Sequence, residues 1–281
     1  MKNRDFIITS LQPWDIEIGS TIKNTALEIS KNNRVLYINT PMDYSTRLRG
    51  NKNKAWTRRM DVIKKQASPI RQINEHMWIV DCPFCVLPVG GLPTTCLFDW
   101  INRINNRKIA DYIRQITAQL NFNNYIHLID TDIYRSQYLK EYLTPSLSIY
   151  YCRDFVIGES YWKKNGVRLE PLLAAKSDIV LANSTHFAER FRQYNRHTFS
   201  IETGVNLALY DGRKKWLIPE DIKPIPHPII GYVGTVNSTR LDSDLLLQIA
   251  EERPVYSFVF TGPEDEVFSQ HPIHRLPNVY F

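Results

Sequence analysis

Short apolar runs recur along this chain with longer amphipathic stretches between them, and that alternation restricts the fold more than any other feature. Runs of strand length separated by stretches of helix length are the pattern of βα units feeding a mostly parallel sheet. Strands are expected at 6–9, 35–38, 77–80, 125–129, 147–151, 179–182 and 198–201. Helices fit between them. The stretch 21–31 places Ile22, Ala26 and Ile29 on one face, and 101–120 carries Ile109, Ile113, Ile116 and Leu120 at spacings of three and four. Ser184 is placed to cap a helix running to about Tyr194.

Between Leu207 and His227 the periodicity stops and Pro219, Pro224 and Pro226 accumulate, so the chain divides into 1–207, a linker at 208–227 and a second segment at 228–281. The second segment starts a new βα series, with strands at 229–233 and 256–260, a helix at 242–252 and another strand entered at 278–281. So few elements cannot cover both faces of a parallel sheet. The expectation is a fragment of something longer, or a segment completed by a partner, with self-association through the incomplete sheet.

A length of 281 residues, 43% hydrophobic and 23% charged, excludes general disorder and fibrous classes and leaves room for a sizeable core. Four cysteines are too few for a disulfide scaffold of this size, and the opening residues lack a signal-peptide pattern, so the compartment expected is the cytoplasm. The charge-free stretch 82–98 contains Pro83, Pro88, Gly90, Gly91 and Pro93, which break a spanning helix, and reads as a buried loop region. The net charge of +6 is a patch: 45–71 holds nine basic residues and one acid, whereas 228–281 holds three basic and seven acidic.

Several residue groups have a spacing that can carry chemistry. Gly231-Tyr232-Val233-Gly234-Thr235, followed by Arg240 and then a helix, resembles a strand-turn-helix that offers backbone amides to a phosphate, with Arg240 as a second contact. A plain tight turn explains the glycine equally simply. Asp130 and Asp132, one residue apart at a strand end, can share a divalent cation that bridges a diphosphate; the alternative is a solvent-exposed helix cap. Cys82 and Cys85 have redox spacing but no helix to depress a thiol pKa, so small buried side chains are expected. In 55–67, Trp56, Met60, Ile63 and Ala67 form one stripe flanked by Arg58, Arg59, Lys64 and Lys65. That is the make-up of a helix lying on an anionic membrane, or of a solvated basic helix packed on the core. No motif for nucleic acid accompanies it.

Several segments together resemble one family. Asp5-Phe6-Ile7-Ile8-Thr9-Ser10, Pro13-Trp14-Asp15, Gly19-Ser20 and Arg34-Val35-Leu36-Tyr37-Ile38-Asn39-Thr40-Pro41 are similar to the N-terminal domain of bacterial glycosyltransferases of family 4, especially those of teichuronic acid biosynthesis. So are Tyr150-Tyr151-Cys152-Arg153-Asp154, Glu170 with the segment from Ser177 to Ser184, and Thr203-Gly204-Val205-Asn206. The stretches 229–242, 258–263 and 277–281 resemble the start of that family's nucleotide-sugar domain.

The resemblance implies an α/β fold of GT-B type: a Rossmann-like N-terminal domain with a parallel sheet plus the beginning of a second Rossmann-like domain. It further implies retaining transfer from a nucleotide diphosphate sugar to a glycan or lipid-linked acceptor in cell-surface polysaccharide biosynthesis, at the inner membrane face and without a metal or other cofactor. Carried onto this chain, Trp14, Gly19 and Ser20 lie in an acceptor-side loop, Asp154 and His127 stand at strand ends near the reacting sugar, and Gly204, Gly234, Thr235, Arg240 and Gly262 attend the donor. Thr235 stands where many members have Arg, Asn206 where most have Asp, and the family's later glutamate pair falls beyond Phe281. Two rivals stay open: a single-domain metal-dependent glycosyltransferase using Asp130 and Asp132, and a non-catalytic membrane-associated assembly subunit. A nicotinamide-dependent dehydrogenase fits poorly, because no Gly-x-Gly-x-x-Gly follows the first strand.

Overall fold

The computed structural model describes residues 1–16, 19–50, 53–204 and 210–281, in two compact units, Met1–Val205 and Asn206–Phe281. Val205 and Asn206 of the glycine turn, and the border expected at 207, lie outside the described residues.

In the first unit the apolar runs form β1 (Asp5–Ser10), β2 (Arg34–Asn39), β4 (Met77–Val80), β5 (Ile126–Asp130), β6 (Leu147–Cys152), β7 (Ile179–Ala182) and β8 (Thr198–Ser200), all parallel. β3 (Ile70–Asn74) adds an antiparallel edge with an irregularity between Gln72 and Asn74. The strand order is β3-β4-β2-β1-β5-β6-β7-β8. All six residues of β1 are buried, as a central parallel strand covered on both faces requires.

The helices are α1 (Thr21–Ser30), α2 (Tyr44–Arg49), α3 (Lys54–Ile63), α4 (Thr95–Gln119), α5 (Leu139–Leu143), α6 (Ser160–Lys176) and α7 (Thr185–Arg192). Ile22 and Ala26 of α1 pack with Phe6, Ile8, Val35 and Tyr37, while Ile109, Ile113 and Ile116 of α4 pack on Ile7, Leu36, Ile38 and Val80 on the other face. Thr94 caps α4 by accepting from the Leu97 N–H, so the helix begins six residues before the periodic stretch expected at 101. Ser184 caps α7 in the same way through the Phe187 N–H. Cys82 and Cys85 are buried free thiols, and burial pushes Cys82 up to about 12.

The second unit holds β9 (Ile229–Val233), α8 (Ser243–Glu252), β10 (Ser257–Thr261), α9 (Glu266–Ser269) and β11 (Val279–Tyr280), with the parallel order β11-β10-β9. Val236, Ala250, Phe258, Phe260, Phe268 and Ile273 form its core. Ile230 is 48% exposed and Val233 84% exposed, so β9 keeps apolar surface open to solvent.

Candidate functional site

In the first unit the chain builds the sheet outward from β1 in one direction through β2 and β4, then returns to add β5 through β8 on the other side. Ligands of open α/β sheets bind at such a reversal, beyond the carboxyl ends of the strands. Here the reversal falls between β1 and β5, whose last residues, Ser10 and Asp130, are register partners.

Asp130 is wholly buried at that point, and its two oxygens are occupied. Arg153 Nε lies 2.5 Å from Oδ1, Arg153 Nη2 lies 3.1 Å from Oδ2, and Ser10 Oγ donates to Oδ2 at 2.7 Å. The network continues outward. The Gln12 N–H donates to Ser10 Oγ (3.0 Å), Ser20 Oγ donates to Gln12 Oε1 (2.5 Å), and Tyr37 Oη donates to the Gln12 carbonyl (2.7 Å). The chain turns after Asp130 through Thr131 at φ +57°, a conformation costly for a β-branched residue, held by its N–H to the Tyr151 carbonyl at 3.0 Å.

The expected acceptor-side residues join this frame in part. The Trp14 N–H donates to Asn39 Oδ1 (2.7 Å) and its ring meets Tyr37 edge-on, 5.3 Å between centroids. Ser20 is buried against Gln12. Gly19 is exposed, and a Cβ built on it meets nothing within 4 Å, so no packing constraint requires glycine there. Asp154 follows β6 at the carboxyl edge with its side chain 61% exposed and Arg153 Nη1 3.8 Å away. Gln12, Arg153 and Ser10 were not singled out from the sequence as site residues. Ser10 and Arg153 lie within segments that resemble the family, and Gln12 lies between two of them.

Two expectations are corrected. His127 does not stand at a strand end: it is the second residue of β5, fully buried, with Nε2 3.0 Å from Thr9 Oγ1 and Nδ1 without a partner among the described residues. Desolvation lowers its pKa to about 3, so it is a neutral buried side chain. Asp130 and Asp132 are not solvent-exposed caps; both are buried. Asp132 does close a turn, accepting from the Arg135 N–H at 3.2 Å, whereas both oxygens of Asp130 are engaged by Arg153 and Ser10, leaving no pair of free carboxylates for a cation.

Trp56, Met60 and Ile63 of α3 pack with Met42 and Cys85, as the core-packed alternative for the basic helix expects. Arg58 turns inward to the buried carboxylate of Asp81 at 3.0 Å, and Arg59 is partly buried with its Nε enclosed. Lys64 and Lys65 are exposed. Among the described residues no helix is long and apolar enough to cross a membrane.

In the second unit Gly234 and Gly262, with φ +155° and +151°, end β9 and β10 side by side. The Gly234 N–H donates to the Thr261 carbonyl at 2.9 Å, and a Cβ on Gly262 would fall 1.8 Å from the Gly234 carbonyl oxygen. Thr235 and Arg240 are exposed on the turn that follows, and the Arg240 side chain has no partner among the described residues. One of the helix amides expected to be free is not: Asp242 caps α8, its Oδ1 accepting from Leu245 N–H at 3.0 Å. A phosphate there would meet that carboxylate. Gly204 belongs to the first unit, and a Cβ built on it meets nothing within 4 Å.

No family model matches the sequence, and no curated protein matches it. Solved structures do resemble it. HepE of Anabaena, in complex with UDP and glucose, superposes with a TM-score of 0.57 at 13% identity over 99% of this chain and 69% of its own. Sucrose-phosphate synthase of Thermosynechococcus elongatus gives 0.59 at 12% identity over 99% and 70%, and apo OtsA 0.53 at 10% over 98% and 68%. The fold is the GT-B type of α/β architecture. At these identities the likeness shows the fold alone.

Proposed function

We propose that this chain serves in transfer of a sugar from a nucleoside diphosphate sugar to a glycan or lipid-linked acceptor in cell-surface polysaccharide synthesis. Retention of configuration and kinship with family 4 are part of this reading, as the sequence resemblance implies. The observation that carries it is the similarity over both units to HepE, whose structure holds UDP and glucose.

In this reading the first unit receives the acceptor at the β1/β5 reversal, and Asp154 is the exposed carboxylate that accepts a hydrogen bond from the acceptor hydroxyl. As that oxygen bonds to the anomeric carbon on the face from which the diphosphate departs, the bond to the diphosphate breaks, the nucleoside diphosphate leaves with the electron pair and the hydroxyl proton passes to Asp154. Its charge is met by Arg240 and the turn at Gly234 and Thr235. Arg153, tied to Asp130, sets the position of the Asp154 backbone.

Calorimetric titration of UDP and other nucleoside diphosphates tests the proposal. One of them should bind, Arg240→Ala should weaken that binding about tenfold, and EDTA should leave it unchanged. Absence of binding by every nucleoside diphosphate overturns the reading, and loss in EDTA returns the metal-dependent alternative.

A further inference from the structure

An aromatic pair stands beside Asp154 at the carboxyl edge of the first unit. Phe155, the next residue along the loop after β6, is 55% exposed. Phe187 lies in the first turn of α7, which follows β7, the parallel neighbour of β6. The two rings are nearly parallel, with 13° between their planes and 6.2 Å between centroids. Phe187 is itself packed on the core, so Phe155 rests on a fixed support.

Arg190 holds the pair from the same helix. It stands one turn beyond Phe187, with its guanidinium carbon 5.5 Å from the Phe155 centroid, while Nη2 donates to Glu170 Oε2 at 2.8 Å. Glu170 is fully buried, and its other oxygen accepts from Tyr150 Oη at 2.8 Å. The ring edge of Phe155 lies against Gly158, where an added Cβ would come within 3.0 Å of Cδ1. Phe187 and Arg190 both reach Phe155 from α7, and its exposure leaves the side away from that helix to solvent.

A fixed, half-exposed ring beside an exposed carboxylate suits a ligand that has both an apolar face and hydroxyl groups. A pyranose has both: its C–H face lies on the ring while a hydroxyl donates to Asp154. A single ring is too small for a protein interface, which buries about 1,000 Å² or more. A nucleotide or a sugar acid would bring negative charge against Asp154, and the charge of Arg190 is already met by Glu170.

We infer that Phe155 is a stacking platform for a neutral pyranose, the acceptor residue whose hydroxyl is directed to Asp154. The link to the acceptor rests on the reading under Proposed function; the platform itself rests on the geometry of the first unit.

Saturation-transfer NMR titration of the methyl glycosides of glucose, galactose and mannose into the full chain, with and without saturating UDP, tests both parts. At least one glycoside should bind in the presence of UDP, with saturation concentrated on the C–H protons of one face. Phe155→Leu, apolar but not planar, should lower its affinity at least about fivefold, and Phe155→Trp should keep it. Phe199→Ala, which removes a 51% exposed phenylalanine of β8, should bind as the wild type does. The methyl glycoside of glucuronic acid should bind more weakly than that of glucose at low ionic strength, and Asp154→Asn should narrow the difference. Equal glycoside binding by Phe155→Leu and wild type, or no binding of any glycoside, overturns the platform. Equal binding of the glucuronide overturns the neutral class. Displacement of the glycoside by UDP overturns its assignment to the acceptor. Phe155-dependent glycoside binding without binding of any nucleoside diphosphate keeps the platform and removes the glycosyl-transfer reading.

Discussion

Arg153 grips Asp130 through two nitrogens, Nε at 2.5 Å from one carboxylate oxygen and Nη2 at 3.1 Å from the other. Asp130 ends β5 and Arg153 follows β6, so the pair ties neighbouring strand ends together where the sheet reverses its order. Burial pushes the Asp130 carboxyl up, and Arg153 and Ser10 oppose that. The pair is therefore costly to bury and more costly to break.

Asp130→Ala leaves Arg153, whose side chain is 14% exposed, without its acceptor. Loss of one partner of a buried pair costs about 3–5 kcal/mol. Urea unfolding should show a loss of that order, and Asp130→Asn, which keeps an acceptor oxygen, a smaller one. A loss under about 1 kcal/mol for the alanine variant, the range of exposed ion pairs, shows that the pair does not hold the strand ends.

His127 gives the chain a specific acid sensitivity. Its pKa falls to about 3 in the folded state, against about 6.5 when unfolded, because burial disfavours the charged ring. The unfolded state thus binds the extra proton between those values. Stability from this residue is complete above about pH 6.5 and is lost as pH falls towards 3, at up to about 1.4 kcal/mol per pH unit. Between pH 6.5 and 4 the His127→Gln variant should lose stability less steeply than wild type, read from urea midpoints at fixed ionic strength. Parallel slopes mean that His127 is protonated in the folded protein.

The frame of the fold was legible in the sequence because parallel strands are continuous apolar runs: 77–80 and 179–182 coincide with the inner strands β4 and β7, and 229–233 with the edge strand β9. α6 was not, because Gly166 and Pro171 interrupt it as local signals. The helix runs through both. A Cβ on Gly166 would sit 2.8 Å from Ile133 and 2.9 Å from Ile157, so close packing, a tertiary fact, explains that glycine. Of the expected site residues, Asp154, given by the family resemblance, lies exposed just after β6. Arg58 turns inward although it flanks the apolar stripe; helical periodicity marks a stripe but does not say which charges beside it turn back to buried acids such as Asp81. His127 shows the reverse: a histidine near a strand end on paper is one residue into the strand in space.

Gly262→Ala tests the paired glycine turns of the second unit. The added Cβ would meet the Gly234 carbonyl oxygen at 1.8 Å, and φ +151° is itself unfavourable for alanine. Backbone strain alone costs about 1–3 kcal/mol, and the clash with main chain adds to it, so β9 and β10 must move apart at their ends. Nucleoside diphosphate binding should fall together with hydrogen-exchange protection at the Gly234 amide, which is bonded to Thr261. Binding kept while that protection is lost places the donor elsewhere than this turn.

Asp154→Ala decides whether the reversal point of the first unit is where the chemistry occurs. The side chain is largely exposed and bears on Arg153 only at 3.8 Å, so its removal should leave stability within about 0.5 kcal/mol of wild type. A group that positions the attacking hydroxyl contributes about 10²-fold or more to turnover. In a protein that carries out sugar transfer, kcat should therefore drop by at least about 10²-fold with nucleotide affinity unchanged, since the donor contacts proposed are on the second unit. Asp154→Asn should recover part of the loss by keeping an acceptor oxygen in place. Arg153→Ala is the control for position: it releases the Asp130 tie, so it should lower both kcat and stability. Equal turnover by Asp154→Ala and wild type removes Asp154 from the reaction. A fall in stability equal to that of Arg153→Ala makes it part of the frame instead.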